Sequence, residues 1–360
     1  MKALEEVFRE LLALEPSSGS AVAVYRNGEE VLSLCGGFAR PGEAWMPETA
    51  VPVFSATKAV ASACLLNALA EQGLDAWLEI GKLWPEFPLR HATVAELLSH
   101  QLGLAALPEP LPMEDLDAFR SAFECCCPNA VYGYHPQTFG PLVDILMLQL
   151  TGARVCDYWE HRIRRPLALE LYLGHVPTSV LSRIAHLQPP RLPGGKMPAD
   201  DFYRSYFDAD SSVYRAFHSV KGYDSPREMN SVAAWCCGSP AKGGVASARG
   251  LCRFYQLLMN REPDSPFSPL VAQWMGTRQA GGFDHTLLRH TAFGCGVMME
   301  PAELFPGGGF GHAGAGGCHA FCVPKLGLSF AYVMNRMQLG ILPGERVQRL
   351  LAAIHIQLPH

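Results

Sequence analysis

The chain has 360 residues, of which 49% are hydrophobic and 18% charged, and a formal net charge of -5. That length supports a large buried core and either two domains or one domain carrying a big insertion. A mildly acidic chain without a block of like charges lacks the basic footprint of a nucleic-acid or anionic-membrane binder, so neither partner is expected.

The opening residues, Met1-Lys2-Ala3-Leu4-Glu5-Glu6-Val7-Phe8, put acidic side chains where a secretory leader needs an apolar run, and they read as an amphipathic surface helix. Two alternating segments follow, Ala21 to Tyr25 and Glu30 to Cys35, flanking Asn27-Gly28, a strong hairpin signal. From Lys58 to Ala70, apolar residues at 61, 64, 65, 68 and 69 form a helical stripe ended by Gly73. The apolar stretch from Leu142 to Leu150 is interrupted by Asp144 and Gln149 and is far too short to span a bilayer, so a soluble cytoplasmic protein is expected.

Residues Val176 to Met229 hold many prolines and no long periodicity, which predicts an irregular, solvent-facing excursion. Gly309 to Phe321 and Leu328 to Met334 read as two strands, and Glu345 to Leu358, with Val347, Leu350, Leu351 and Ile354 on one face, as a closing helix. Both ends share this mixed character, whereas the middle is mainly helical. The expected organisation is one discontinuous α/β domain, residues 1–62 and 285–360, interrupted by a mostly helical domain, 63–284.

Twelve cysteines are present, but Cys125-Cys126-Cys127 and Cys236-Cys237 lack the spacing of a zinc site and suit a disulfide framework poorly. Reduced thiols and no metal are expected. Cys318 and Cys322, with His319 between them on a strand, read as small core-facing thiols rather than ligands.

Ser55-Ala56-Thr57-Lys58 opens the helix described above. A serine there meets free N–H groups and the positive end of the helix dipole, and a lysine three residues on reaches back to its hydroxyl. Serine needs a base beside it to attack a carbonyl, and lysine serves as one where burial lowers its pKa. The apolar run Val51-Pro52-Val53-Phe54 prepares such burial. A plain helix cap is the competing reading of this stretch alone. A second tetrad, Ser239-Pro240-Ala241-Lys242, runs into Gly243-Gly244, which breaks a helix, and its lysine is expected in solvent.

Further segments decide between these readings. Leu97-Leu98-Ser99-His100-Gln101-Leu102-Gly103-Leu104, then Tyr132-Gly133-Tyr134-His135 with Thr138-Phe139-Gly140, then Gly311-His312-Ala313-Gly314-Ala315-Gly316-Gly317 follow the Ser55 tetrad in order. With it they make the chain resemble the serine β-lactamase and penicillin-binding-protein superfamily, specifically the class C β-lactamase-like esterases known as family VIII carboxylesterases. The resemblance implies a β-lactamase-like, transpeptidase-like α/β (α+β) fold, an antiparallel sheet flanked by helices with an inserted helical domain.

It also implies Ser55 as the acyl-accepting nucleophile, Lys58 as its proton-transfer partner and Tyr134 as a second general acid or base. The oxyanion would sit on the N–H groups of Ser55 and Ala315, with Gly314 leaving room for the substrate carbonyl and His312 contacting substrate or Tyr134. Where β-lactamases of this class have tyrosine-x-asparagine, this chain has Tyr134-His135-Pro136, and histidine replaces the strand lysine. Both changes remove groups that hold a β-lactam. The expected activity is cleavage of short-chain carboxylic esters through a Ser55 acyl-enzyme, without metal or organic cofactor. A β-lactamase or D-amino-acid peptidase, and a catalytically idle scaffold, are the competing functions. Oligomeric state is left open.

Overall fold

The computed structural model describes residues 2–128, 131–192, 198, 200–300, 305 and 307–355. Its frame is a nine-stranded antiparallel sheet built from both ends of the chain. The strands are β1 (Gly19–Arg26), β2 (Glu29–Arg40), β3 (Glu43–Ala44), β4 (Ala280–Asp284), β5 (Arg289–Phe293), β6 (Met298–Glu300), β7 (Gly309–Gly314), β8 (Cys318–Val323) and β9 (Leu328–Met334). Across the sheet they run β3-β2-β1-β9-β8-β7-β6-β5-β4. The β1–β2 hairpin turns on Asn27 (φ 51°) and Gly28 (φ 86°), the pair of positive φ values that a type I′ turn demands.

Every residue of β9 is buried, which requires cover on both faces of the sheet. Ser329 turns to helix Ala248–Leu258, where its hydroxyl donates to Cys252 O at 3.0 Å. Tyr332, three residues on and therefore on the opposite face, meets Arg346 of the closing helix Glu345–His355. The first helix, Lys2–Ala13, packs beside that closing helix and buries Leu4, Phe8 and Leu11.

The helix after Ser55 spans Thr57–Glu71 and is buried on all sides from Thr57 to Leu69, rather than along one stripe. It runs through the protein between helix Phe139–Thr151 and the sheet, so it is apolar around its whole circumference.

Three further expectations change. Gly309 to Phe321 is not one strand but a hairpin, β7 and β8, turning at Ala315-Gly316-Gly317. The boundary expected at 284/285 falls inside the β4–β5 hairpin, and helix Ala248–Leu258 packs on β1 and β9, so the sheet layer claims residues well before 285. The segment 176–229 contains the short helices Thr178–Leu181, Asp201–Phe207, Ser212–Phe217 and Pro226–Met229. It is not a solvent-facing excursion: Phe202 and Val213 form a buried cluster with Tyr134, Leu287 and Phe293. The expected extension of the last helix to Leu358 lies beyond the described residues.

Candidate active site

The short strand Val51–Pro52 leads into Phe54, whose φ of 48° is unusual for a residue with a side chain. This sharp turn presents Ser55 in a single 3-10 turn, Phe54–Ala56, at the mouth of the buried helix. Thr57 holds the turn in place: its hydroxyl donates to Phe54 O at 2.5 Å and accepts from Gly244 N at 2.9 Å. Ser55 makes no side-chain cap to the helix, so its hydroxyl is not consumed in the role a serine at this position commonly fills.

Lys58 is fully buried. Its Nζ donates to Pro136 O at 2.7 Å and to Ala241 O at 3.1 Å, and stands 3.4 Å from Ser55 Oγ. Burial pushes the ammonium well below the usual lysine range, and the charge of Lys242 pushes it further. A neutral amine carries two N–H bonds. With both directed at the two carbonyls, its lone pair is left for the hydroxyl of Ser55.

Tyr134 lies on a segment outside the regular helices and strands and is held from several sides. Its N–H donates to Asp284 Oδ1 and Oδ2 at 3.1 and 3.2 Å, while Gly133 N donates to His100 O at 3.2 Å. Its ring stacks on Phe293 at 5.9 Å, meets the His100 ring edge-on at 4.8 Å and lies 4.9 Å from Lys58 Nζ. Burial raises the phenol well above its ordinary pKa; the Ser55 hydroxyl pulls it partly back, and the Asp284 charge adds to the rise. The phenol oxygen faces the Ser55 hydroxyl and, among the described residues, makes no fully formed hydrogen bond.

His312, on β7, is buried with its ring 5.8 Å from that of Tyr134. Its Nδ1 lies 2.7 Å from Ala313 O, which assigns the proton to Nδ1 and leaves Nε2 as an acceptor without a partner among the described residues. Burial, with help from Lys58, lowers its pKa to about 3. His135 is likewise lowered to about 3 by burial and Lys58, and His100 is pushed well below its usual range by burial and its neighbours. Burial thus favours the uncharged form of the three imidazoles, of the phenol and of the Lys58 amine.

Gly314 ends β7 against the backbone before Ser55. A Cβ there would stand 2.2 Å from Val53 O, so no side chain fits. This close approach brings Ala315 to the same cleft as Ser55 and Tyr134, a cavity of about 110 Å³. Part of its wall comes from the 176–229 segment, in Tyr206, Phe217, His218 and Tyr223.

The structure thus brings Ser55, Lys58, Tyr134, His312, Gly314 and Ala315 together. Four contributors were given no role in the site from sequence. Asp284 anchors the Tyr134 backbone and His100 supports its ring. Gln137 donates to Asp224 at 3.1 Å. Lys242, expected in solvent, is 9% exposed and borders the cleft. His100 stands in the leucine-leucine-serine-histidine run and Lys242 in the second serine tetrad, so both carried a visible signal; Asp284 and Gln137 carried none.

All twelve cysteines are free thiols, with Cys318 and Cys322 fully buried. His319 between them pairs with Glu300 at 2.9 Å. Cys156, Asp157 and His175 have metal-ligating atoms close together, but Asp157 Oδ1 is already 2.7 Å from His175 Nε2. Burial also holds the Cys156 thiol up at about 11, away from the thiolate a metal needs.

A family model described as Beta-lactamase matches residues 4–354. Esterase/beta-lactamase LipL of Mycobacterium tuberculosis is 29% identical over 342 residues, covering 89% of this chain and 77% of that protein. A penicillin-binding protein homolog from Caulobacter crescentus superposes with a TM-score of 0.86 at 29% identity, covering 99% of this chain and 97% of its own. A family VIII carboxylesterase superposes with a TM-score of 0.85 at 25% identity, again over 99% and 97%. The chain is a hydrolase of the Beta-lactamase family.

Proposed function

We propose that the protein is a serine esterase that cleaves short-chain carboxylic esters through an acyl-enzyme on Ser55. The observation that carries this reading is the grip on Lys58: Pro136 O and Ala241 O accept from its Nζ, which stands 3.4 Å from Ser55 Oγ, so the neutral form of the amine would turn its electron pair to that hydroxyl. A buried neutral amine in that position is a general base matched to an unactivated serine.

In the acylation step Ser55 Oγ attacks the ester carbonyl and its proton passes to Lys58 Nζ. The carbonyl oxygen becomes an oxyanion on the N–H groups of Ser55 and Ala315, where the bare backbone at Gly314 leaves it space. Collapse of the tetrahedral intermediate breaks the bond to the alcohol oxygen, which takes the proton of the neutral Tyr134 phenol. Lys58 ammonium, 4.9 Å from that ring, then returns a proton to the phenolate. Water attacks the acyl-enzyme by the same route and regenerates Ser55.

The size of the cleft supports the proposed substrate class. A volume of about 110 Å³ is small beside the roughly 300–1,000 Å³ of typical ligand sites and favours short acyl groups. The names of the esterase relatives support ester cleavage. Pro136, standing where β-lactamases of class C place asparagine, offers Lys58 a carbonyl but no amide for a β-lactam side chain. Turnover of p-nitrophenyl acetate and butyrate against a chromogenic cephalosporin tests the reading. Ester hydrolysis lost in Ser55→Ala is expected; a fluorophosphonate adduct mapping to Ser239 refutes the choice of serine.

A further inference from the structure

The second tetrad does not supply a second nucleophile. Ser239 and Lys242 lie on the segment that carries Ala241, and Ala241 O is one of the two carbonyls gripping Lys58. Lys242 Nζ donates to Gly222 O at 3.0 Å, Tyr223 O at 3.3 Å and Asp224 Oδ1 at 3.0 Å. Its three donors are therefore taken, and none remains for the Ser239 hydroxyl. Asp224 Oδ1 also accepts from Gln137 Nε2 at 3.1 Å, and Gln137 Oε1 accepts from Val220 N at 2.7 Å. Gln137 directly follows Pro136, the residue whose carbonyl is the other grip on Lys58.

We propose that Lys242 is a positioning residue of the catalytic centre: with Asp224 and Gln137 it clamps segment 220–224 to the two backbone carbonyls that aim Lys58 at Ser55. This inference rests on Ser55 and Lys58 as the reacting pair and adds to it a device that fixes the amine's direction and opposes its protonation.

Two independent features of the site support the clamp. The first is geometric. Pro136 and Ala241 belong to separate stretches of chain, and neither carbonyl is held by a regular strand or helix of its own. A single ion pair, Lys242 with Asp224, joins the two through Gln137. Lys242 is mostly buried while the Asp224 side chain is 38% exposed, so water screens the pair from the Asp224 side and less from the side that faces Lys58.

The second is electrostatic. Lys58 faces Tyr134, His100, His135 and His312, all uncharged at neutral pH. Among the described residues, Lys242 is the cation whose charge reaches it. Lys242 in turn faces Asp224 and, more distantly, Glu228, Cys237 and the Asp144–Arg154 ion pair. Asp224 partly offsets the lysine, so the two ends of the clamp act on Lys58 with opposite signs.

Opposite signs give a test that a merely structural role does not pass. The readout is the second-order rate of Ser55 phosphonylation by a fluorophosphonate, followed against pH, with peptide mapping of the adduct; it needs no knowledge of the natural ester. Removing the cation in Lys242→Met eases protonation of Lys58, so the acid limb should move to higher pH by about half a unit to one unit. Asp224→Asn leaves the lysine less compensated, and the limb should move to lower pH. Lys242→Arg, which keeps the charge, should hold the limb within a few tenths of a unit of wild type. Should Lys242→Met not fold, the Asp224→Asn and Lys242→Arg profiles still decide. A Ser55 adduct whose limb stays put in all variants, or moves the same way in the Lys242→Met and Asp224→Asn variants, overturns the role of Lys242 alone. No adduct on wild-type Ser55 overturns the acyl-transfer reading beneath it.

Discussion

Replacing Asp284 with alanine should damage the protein in two measurable ways. The carboxylate is fully buried and accepts from three backbone amides, Tyr134 at 3.1 Å, Thr286 at 2.9 Å and Leu287 at 2.9 Å, and from the Thr291 hydroxyl at 3.2 Å. Burial raises its pKa, while those same donors pull it back. A buried N–H left without a partner costs about 1–3 kcal/mol. Three of them, partly relieved by water entering the gap, give roughly 3–6 kcal/mol. That is a large share of the roughly 5–15 kcal/mol that stabilises a typical protein. Equilibrium urea unfolding measures the loss. Asp284→Asn keeps one acceptor oxygen and should lose about half as much. Because the carboxylate anchors the Tyr134 backbone, kcat for p-nitrophenyl acetate should also fall at least tenfold in the alanine variant, through misplacement of the phenol. A stability loss below about 1 kcal/mol together with unchanged kcat would refute the anchoring role.

Lys58→Met should abolish turnover yet stabilise the fold at neutral pH. The folded-state pKa of Lys58 lies below its unfolded value near 10.4, so folding must strip a proton. The resulting penalty is fully present below the folded pKa and vanishes above the unfolded one. The gain in Tm should therefore shrink as pH rises toward 10; a gain that does not depend on pH would contradict a neutral buried amine. Gly314→Val should cut kcat/KM about a hundredfold or more with the circular dichroism spectrum retained, because its side chain meets Val53 O; near wild-type turnover would show that the strand does not approach Ser55 as described. His312→Gln should leave the acid limb of the kcat/KM profile where it is, since His312, lowered to about 3, does not titrate in the working range. A displaced limb would make the histidine, not Lys58, the titrating base.

The Ser55 tetrad, Tyr134 and the glycine-rich turn were legible because each is a short local pattern whose chemistry constrains neighbouring residues. The hairpin at Asn27-Gly28 was legible for the same reason. Asp284 was not, because it reaches Tyr134 across 150 positions of chain and its own surroundings resemble an ordinary strand end. Lys242 was misread. A glycine pair after it correctly excluded a helix, but the absence of a helix does not put a side chain in water when a distant loop offers three oxygens. The 176–229 segment was misread in a related way: its short helices are stabilised by packing Phe202 and Val213 on Tyr134 and Phe293, a contact that local periodicity cannot announce.

That segment separates two properties that evolution can change independently. The groups that would move protons stand on the buried helix, the Tyr134 segment and β7, whereas Tyr206, Phe217, His218 and Tyr223 reach the cleft from outside that frame. Substitution in this outer wall can reshape which acyl or alcohol group is admitted while the reacting atoms keep their places. A lineage carrying this architecture can thus diversify its substrates by rewriting one stretch of some fifty residues, without first dismantling the chemistry it already has.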